Sequence, residues 1–589
     1  MKFYRYTVAF FVSLICGLTA KDVPLPEKIR FIKVDQFGYL PNMKKFAVLS
    51  NPKLGFNSQD EYQPSDELYL VRVKDNKRVM DLDAQIWNKG AVDEASGDQI
   101  WWMDFSAFKT VGSYYILDKK NDVKSAEFKI SKSVYDEVLR SALKTFYYQR
   151  CGIHKVGHME DSACHEQDRA CEALDDPSTK RDLHGGWHDA GDYNKYVGYA
   201  SAAVQRLLNA YETNPGFWRD FDLGIPESNN NNIPDILDEL KWELDWLLKM
   251  QNPDGSFLHL VGSDKAKGAY YSLYTNKPAS KDLGTRKFQV ASGQATVAAL
   301  SMLAHAAYVY KDIPELKSYS KTLLSASLKA WNWTLGNEAL IDFAPKTSPR
   351  LTSSHGYFKD NIKTARLEAS IYLHLLTKDK NFLLYFKREY MSLKHPIKIS
   401  PSLIDLIQQN SLERKSSKKL LNDFVEYWQY QTSRNAYRDR LNKITWWGSN
   451  QNVCDDAFHL VYILDSVDKN KRQQCDEAIA GALNYVHGVN PLGVVYLTNM
   501  GAMGAEHSLD RIYHGDSNLS LNPPSGYMPG GPNVNFTGKD MHFRKQPAQK
   551  AFDLKMKTQP TYEYFEGQLA LQARYVALLF ANINLYRDK

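Results

Sequence analysis

Cysteine is scarce in this chain, with six in 589 residues. No Lys/Arg block occurs, although Lys+Arg total 74 against Asp+Glu 68. Without a basic stripe, nucleic acid is excluded as a partner. After the first 20 residues no apolar run is long enough to span a bilayer, so no stable membrane association is expected. No unit of about 20–50 residues repeats, which argues against a solenoid. The length points to more than one domain.

The N-terminus carries the one apolar run. Lys2 and Arg5 precede Val8 to Leu18, and Ala20 ends the segment. This is the layout of a signal peptide, assigned to residues 1–20, and implies a secreted or periplasmic protein. Ile15 before Cys16 is a poor match to a lipoprotein site. Removal of the leader leaves Cys151, Cys164, Cys171, Cys454 and Cys475, an odd number that cannot all pair. Three of them fall within 21 residues, which favours a local metal or disulfide site. A Cys454–Cys475 disulfide is left open.

Residues 28–130 read as β structure. Glu67–Val73 alternates apolar and polar side chains, and Ile29–Leu40 and Gly112–Leu117 look like further strands. A β-sandwich is expected there. From Val134 the periodicity becomes helical. In 233–251, Ile236, Leu237, Leu240, Leu244, Leu247 and Leu248 recur at three- and four-residue spacing. Similar segments continue to the C-terminus, joined by Gly/Pro/Asn-rich loops. Residues 131–589 are therefore expected to form a helical toroid with its loops over one face.

Four constellations carry chemistry. In DLHGGWHDAGDYNKYV (182–197), Asp189 and Asp192 flank Ala190-Gly191, so both carboxylates can face one space and orient a water. An Asp pair can also simply cap the following helix. In PTYEYFEGQLALQ (560–572), Glu563 and Glu566 stand at the mouth of an apolar helix, a favourable place for acids in any case. Enclosure by Tyr562, Tyr564 and Phe565 would desolvate a carboxyl there and suit it to general-acid work. A closed helical ring would bring these two distant segments face to face. Cys151, Cys164, His165 and His188 make a plausible closed tetrahedral metal site, with His154 and His158 as competitors and a Cys151–Cys164 disulfide as the plain alternative. Finally, the loop 490–533 offers Arg511, Tyr513 and His514 to sugar hydroxyls. With aromatics at 13%, flat platforms for sugar rings are also available.

These motifs resemble glycoside hydrolase family 9, the inverting cellulases with an N-terminal immunoglobulin-like domain. VDQFGYLPNMKKFAVL, YQRCG, ACH, GGWHDAGDYNKY, IPDILDE, WWGSN, NPLG, GGPN and YEYFE occur in the family's order across nearly the whole chain. The resemblance implies a mainly α fold, an (α/α)6 barrel preceded by a small immunoglobulin-like β-sandwich. It implies Asp192 as general base, Asp189 as co-holder of the water and Glu566 as general acid. Trp187, Arg511, Tyr513, His514 and Tyr562 are assigned to substrate. The same resemblance makes Cys151, Cys164, His165 and His188 the ligands of a structural zinc; calcium also occurs in relatives, but no ligand set is readable here.

Three departures stand out. Arg511-Ile512-Tyr513-His514 replaces a His-x-Arg order, Tyr562 replaces Trp, and Gln572-Ala573 replaces Asn-Ala. The expected protein is a secreted, monomeric, inverting endo-β-1,4-glucanase acting on β-glucan. The rivals are an exo-acting β-glucosidase or exo-glucosaminidase of the same family, a zinc-dependent hydrolase, and a non-catalytic carbohydrate-binding protein.

Overall fold

The computed structural model describes residues 30–156, 162–263, 279–282, 284–343, 345, 359–390, single positions between 406 and 426, 435–439, 441, 445–465, 467–500, 524–536, 545–552 and 562–588. The leader assigned to residues 1–20 lies outside them. No described helix is long and apolar enough to cross a membrane.

The N-terminal part is a pair of sheets. One runs β1 (Ile32–Lys33), β3 (Phe46–Pro52), β7 (Asp98–Asp104), β6 (Gln85–Ile86). The other runs β2 (Gly38–Tyr39), β10 (Phe128–Ile130), β8 (Gly112–Asp118), β4 (Leu68–Arg72), β5 (Lys77–Asp81), with β9 (Val123–Lys124) beside β8. All pairs are antiparallel except β2–β10. Period-2 alternation in β8 buries Tyr114, Ile116 and Asp118 on one face. The Tyr39 and Phe105 rings meet edge to face in this core.

The helical part begins with α1 (Asp136–Gln149) and continues through α2 (Val197–Thr213), α3 (Asp235–Lys249), α4 (Gly293–Tyr310), α5 (Lys317–Gly336), α6 (Lys359–Thr377), α7 (Lys380–Tyr390), α8 (Ser449–Val461), α9 (Lys469–Val486) and α10 (Leu569–Tyr586). Packing alternates. α10 lies beside α2 and α8, α2 beside α4, and α4 beside α6, while α1, α3, α5, α7 and α9 cover them. Sequence pattern decides the layer. α4 and α10 are apolar nearly all round and almost wholly buried, whereas α3 and α5 each leave a polar face to solvent. This is the inner and outer ring of an (α/α)6 barrel.

A buried histidine–carboxylate hydrogen bond and a buried ion pair join sandwich to barrel. Asp35 accepts from His487 Nδ1 at 2.8 Å and from the Tyr135 hydroxyl at 3.0 Å. Asp98 takes Lys550 Nζ at 2.6 Å and the Tyr437 hydroxyl at 2.7 Å. Losing one partner of such a pair would strand a buried charge, at a cost of about 3–5 kcal/mol. The sandwich is thereby tied to the barrel by charge as well as by apolar contact.

A third sheet has no counterpart in the period-2 signal. It runs β12 (Lys180–Arg181), β11 (Cys171–Ala173), β15 (Arg286–Phe288), β14 (Leu260–Ser263), β13 (Lys195–Tyr196). Its strands are two to four residues long, too short for alternation to register. It binds the loops before α2 and α4 into one lobe.

Candidate active site and metal cluster

The GGWHDAGDYNKY segment is shaped by its neighbours before its own chemistry matters. Gly186 has φ +76 and passes so close to Trp246 that a Cβ would lie 2.6 Å from the ring. The next residues bridge back to the end of α1: Cys151 N–H donates to Gly186 O and His188 N–H to Gln149 O, both at 2.8 Å. Trp187 was assigned to substrate from the sequence. The structure corrects this. Its side chain is 1% exposed, packs on Phe146, and donates its indole N–H to Glu239 at 2.8 Å. It buttresses the loop from beneath and offers no face to a sugar.

After Asp189 the chain turns. Tyr193 sits in the left-handed region at φ +53, uncommon for a bulky residue. The turn is closed by Tyr193 N–H to Ala190 O at 3.2 Å and Asp189 N–H to Asn194 O at 2.9 Å. Asp192 is half-buried and accepts from the Asn194 backbone and side chain at 3.1 and 2.9 Å and from the Tyr196 hydroxyl at 2.7 Å. Asp189 is buried and both its oxygens lie 3.3 Å from Gln568 Nε2. Leu569 N–H, the first of α10, donates to Asp189 O at 3.1 Å. The two ends of the helical part, 379 residues apart, are stitched here.

Burial pushes Asp189 well above the usual carboxylate range, with the Asp192 and Glu566 charges adding to the rise and Gln568 opposing it. Burial also raises Asp192, against the Tyr196 and Asn194 hydrogen bonds and the Arg286 charge. Glu566, half-buried, follows the short helix Tyr562–Phe565. That helix is anchored through Tyr564 O, which accepts from Gly531 N–H at 3.0 Å, so the GGPN segment supports it. Glu563 is 7% exposed and lies 3.4 Å from Asn533 Nδ2.

Arg511, Tyr513 and His514, and the side chain of Tyr562, lie outside the described residues. Gln572, one of the departures, holds the scaffold: its amide accepts from Met528 N–H and donates to Ala142 O and Gly526 O.

Cys151, Cys164, His165 and His188 converge. Their ligand atoms all lie within 4.8 Å of one another and all four residues are buried. Cys151 Sγ is 3.6 Å from His165 Nδ1, Cys164 Sγ is 3.7 Å from His188 Nε2, and the two histidine nitrogens are 3.1 Å apart. Tetrahedral bonds of about 2.0–2.3 Å put neighbouring ligand atoms about 3.3–3.8 Å apart, so the quartet fits a four-coordinate ion with little movement. His165 Nε2 faces Asp282 at 3.2 Å, the usual carboxylate behind a ligating imidazole. Burial pushes the Cys151 thiol far up and His188 far down, so both are held uncharged without a cation. No disulfide joins the described cysteines, Cys454 and Cys475 included.

Sequence reasoning missed three charged residues behind the turn. Lys195 Nζ meets Asp168 at 2.7 Å, and Arg286 Nε meets the other oxygen of Asp168 at 3.3 Å. Arg286 also donates to Tyr193 O at 2.9 Å. Lys195 lies inside the conspicuous motif, but no spacing rule ties it to Arg286 about 90 residues on.

The Glycosyl hydrolase family 9 model matches residues 135–579, and the model of the cellulase N-terminal ig-like domain matches residues 28–122. Endoglucanase D of Acetivibrio thermocellus is 26% identical over 532 residues, covering 85% of this chain and 77% of its own. A xyloglucan-specific endo-β-1,4-glucanase of Bacteroides ovatus is 25% identical, covering 90% and 91%. Among solved structures, a metagenome-derived family 9 endoglucanase superposes with a TM-score of 0.77 at 25% identity over 94% of this chain and 99% of its own. A Zn-binding triple mutant of the family 9 endoglucanase J30 superposes with a TM-score of 0.75 at 24% identity over 92% and 99%. With an (α/α)6 barrel preceded by an immunoglobulin-like sandwich, and with family models matching both parts, the chain belongs to glycoside hydrolase family 9.

Proposed function

We propose that this enzyme is exported and cleaves β-1,4-glucan chains internally by single displacement with inversion. The observation that supports the mechanism is the stitch between the ends of the helical part: Gln568 Nε2 lies 3.3 Å from both oxygens of Asp189, and Gln568 is two residues beyond Glu566. Asp192 serves as general base, removing the proton of a water that it holds with Asp189. Glu566 serves as general acid, protonating the leaving glycosidic oxygen. Asp189, pushed toward its neutral form, can donate a hydrogen bond to that water while Asp192 accepts one. No covalent glycosyl intermediate is required.

The quartet Cys151, Cys164, His165 and His188 is assigned to zinc. Four protein ligands leave no open position, so a bound zinc supplies cross-linking and no chemistry. The residues around it do the mechanical work: Gly186 and Gln149 fix the strand bearing His188, and His188 fixes the approach of Asp189.

Endo action is favoured because relatives covering most of this chain are named as endoglucanases. A cellodextrinase of Butyrivibrio fibrisolvens, 31% identical over 336 residues, keeps exo action as the second reading. Two measurements test the proposal. Proton NMR of the first product must show the α-anomer; initial β-anomer refutes inversion. Viscosity of carboxymethyl-cellulose must fall well before reducing ends accumulate; a parallel course refutes endo action.

A further inference from the structure

Behind the catalytic turn lies a set of buried charges that no step above uses. Asp168, Lys195 and Arg286 are all nearly inaccessible, at 0%, 0% and 2% exposure. Lys195 also donates to Leu183 O and Gly185 O at 2.7 and 2.8 Å, which satisfies its three protons together with Asp168. Arg286 is less completely used. Nε meets Asp168, Nη1 is shared between Tyr193 O at 2.9 Å and Ser263 Oγ at 3.3 Å, and Nη2 is buried with no partner among the described residues. Asp282 is a second buried carboxylate beside Arg286, joined to it through Ser263 Oγ, which donates to Asp282 at 2.8 Å, and Asp282 also faces His165, so the two cations stand against two carboxylates.

A buried cation is costly unless something faces it, and Asp168 and Asp282 do so here. Arg286 acts in the direction of Asp192, and it does two things there at once. Its Nη1 holds the carbonyl of Tyr193, the residue whose left-handed backbone turns the chain between Asp192 and Asn194. Its charge favours the ionised form of Asp192, which burial disfavours. The groups acting on Asp192 include Tyr196 and Asn194, which donate to it, and Asp189, which shares its turn and is itself repelled by Glu566 and Glu243. Arg286 is the cation that opposes this acidic surround.

We propose that Arg286 is a positioning residue for catalysis: its guanidinium pins the Tyr193 carbonyl and sets a buried positive charge behind Asp192, presenting that carboxylate ready to accept the water's proton. This rests on Asp192 as the general base. A residue acting only as packing would hold the turn without affecting the proton equilibrium of Asp192. A residue with the proposed role must do both.

The test is the pH dependence of kcat/KM on a soluble cello-oligosaccharide for the holoenzyme and its Arg286→Gln and Arg286→Lys variants, with zinc content measured in each. Arg286→Gln is expected to move the acid limb upward by about one unit, so that activity on that limb falls about tenfold relative to the plateau. Arg286→Lys keeps the charge but loses the forked geometry. Its limb should stay in place while kcat falls at every pH. An Arg286→Gln profile scaled down with an unmoved limb overturns the proposal, as does a limb displaced in Arg286→Lys. Should Arg286→Gln fail to fold, Asp168→Asn supplies the opposite sign: with Asp168 neutralised, the limb must move downward, and an unmoved limb is a refutation. Asp192→Asn separates this from the parent reading. Near-native turnover in that variant removes the base assignment itself, whereas an inactive Asp192→Asn with unmoved Arg286 limbs removes only the role of Arg286.

Discussion

The two walls of the proposed catalytic site are built on different principles. The wall bearing Asp189 and Asp192 is cross-linked through the protein interior: a metal-ligand quartet, the Asp168–Lys195–Arg286 set and the Gln568 stitch all converge on one turn. The wall bearing Glu566 is held by a backbone bond, ring contacts and one amide: the four-residue helix Tyr562–Phe565 is tied to the GGPN segment through Gly531 N–H and Asn533, and the Tyr564 ring packs on Phe536 and Phe552. The difference suits the two proposed jobs. A base that directs a water must be fixed in angle and kept ionised in a buried site. The proposed acid needs only to reach the leaving oxygen with its proton.

The largest expected effect separates the walls outright. Asp192→Ala and Glu566→Gln should each lower kcat on soluble cellulose by about 10²–10⁴, with circular dichroism unchanged. On an aryl cellobioside with a good leaving group, Glu566→Gln should recover most of its loss and Asp192→Ala none. Equal recovery in both would erase the distinction between acid and base.

Metal removal should strike one wall only. Treatment with a strong zinc chelator, or Cys164→Ser, is expected to lower Tm by about 10 °C, restored in the first case by added zinc. Turnover at 25 °C should persist in chelated enzyme that is still folded. Immediate loss of activity at unchanged circular dichroism would instead favour metal-centred chemistry.

A smaller change should come from the stitch between the walls. Gln568→Leu leaves Asp189 without its amide donor and should cost about tenfold in kcat with little change in KM, because the water loses an oriented partner. A KM effect alone would place Gln568 in substrate binding.

The smallest effect is remote from both walls. Glu368, on α6, is pushed up to about 7 by burial, against Arg206 and with Asp455 adding to the rise. An acid whose folded pKa is raised stabilises the fold most below its unfolded value of about 4.3, and that contribution is lost as pH rises toward 7. Glu368→Gln should therefore raise Tm by about 2 °C at pH 8 and leave it unchanged at pH 4. Activity has a separate dependence. Because Asp192 is raised and must be ionised to work, the acid limb of wild-type activity should lie above the ordinary Asp value of about 3.9.

Much of the architecture was legible because its signals are local. Six apolar positions at helical spacing mark α3, and the alternation in Glu67–Val73 marks β4. α8 and α9 begin earlier than their apolar patterns, at Ser449 and Lys469, since their first turns are polar. The candidate site was legible where residue type is diagnostic, as with the paired aspartates and the Cys/His set. Trp187 misled because an aromatic beside a catalytic motif looks like a sugar platform, and only the position of Glu239 and Phe146 shows it pointing inward. Arg286 was invisible because an isolated arginine on a three-residue strand has no periodic partner.

Taken by itself, the sequence determined which groups can do chemistry and which segments are helical, since residue type and periodicity reside in neighbouring positions. Tertiary structure decided which charges face one another. Asp189 meets Gln568 across 379 residues, and Arg286 reaches Tyr193 across 93. Those contacts come from ring closure and from a sheet of very short strands, and the proton affinities of Asp189 and Asp192 depend on the burial and the neighbours so created.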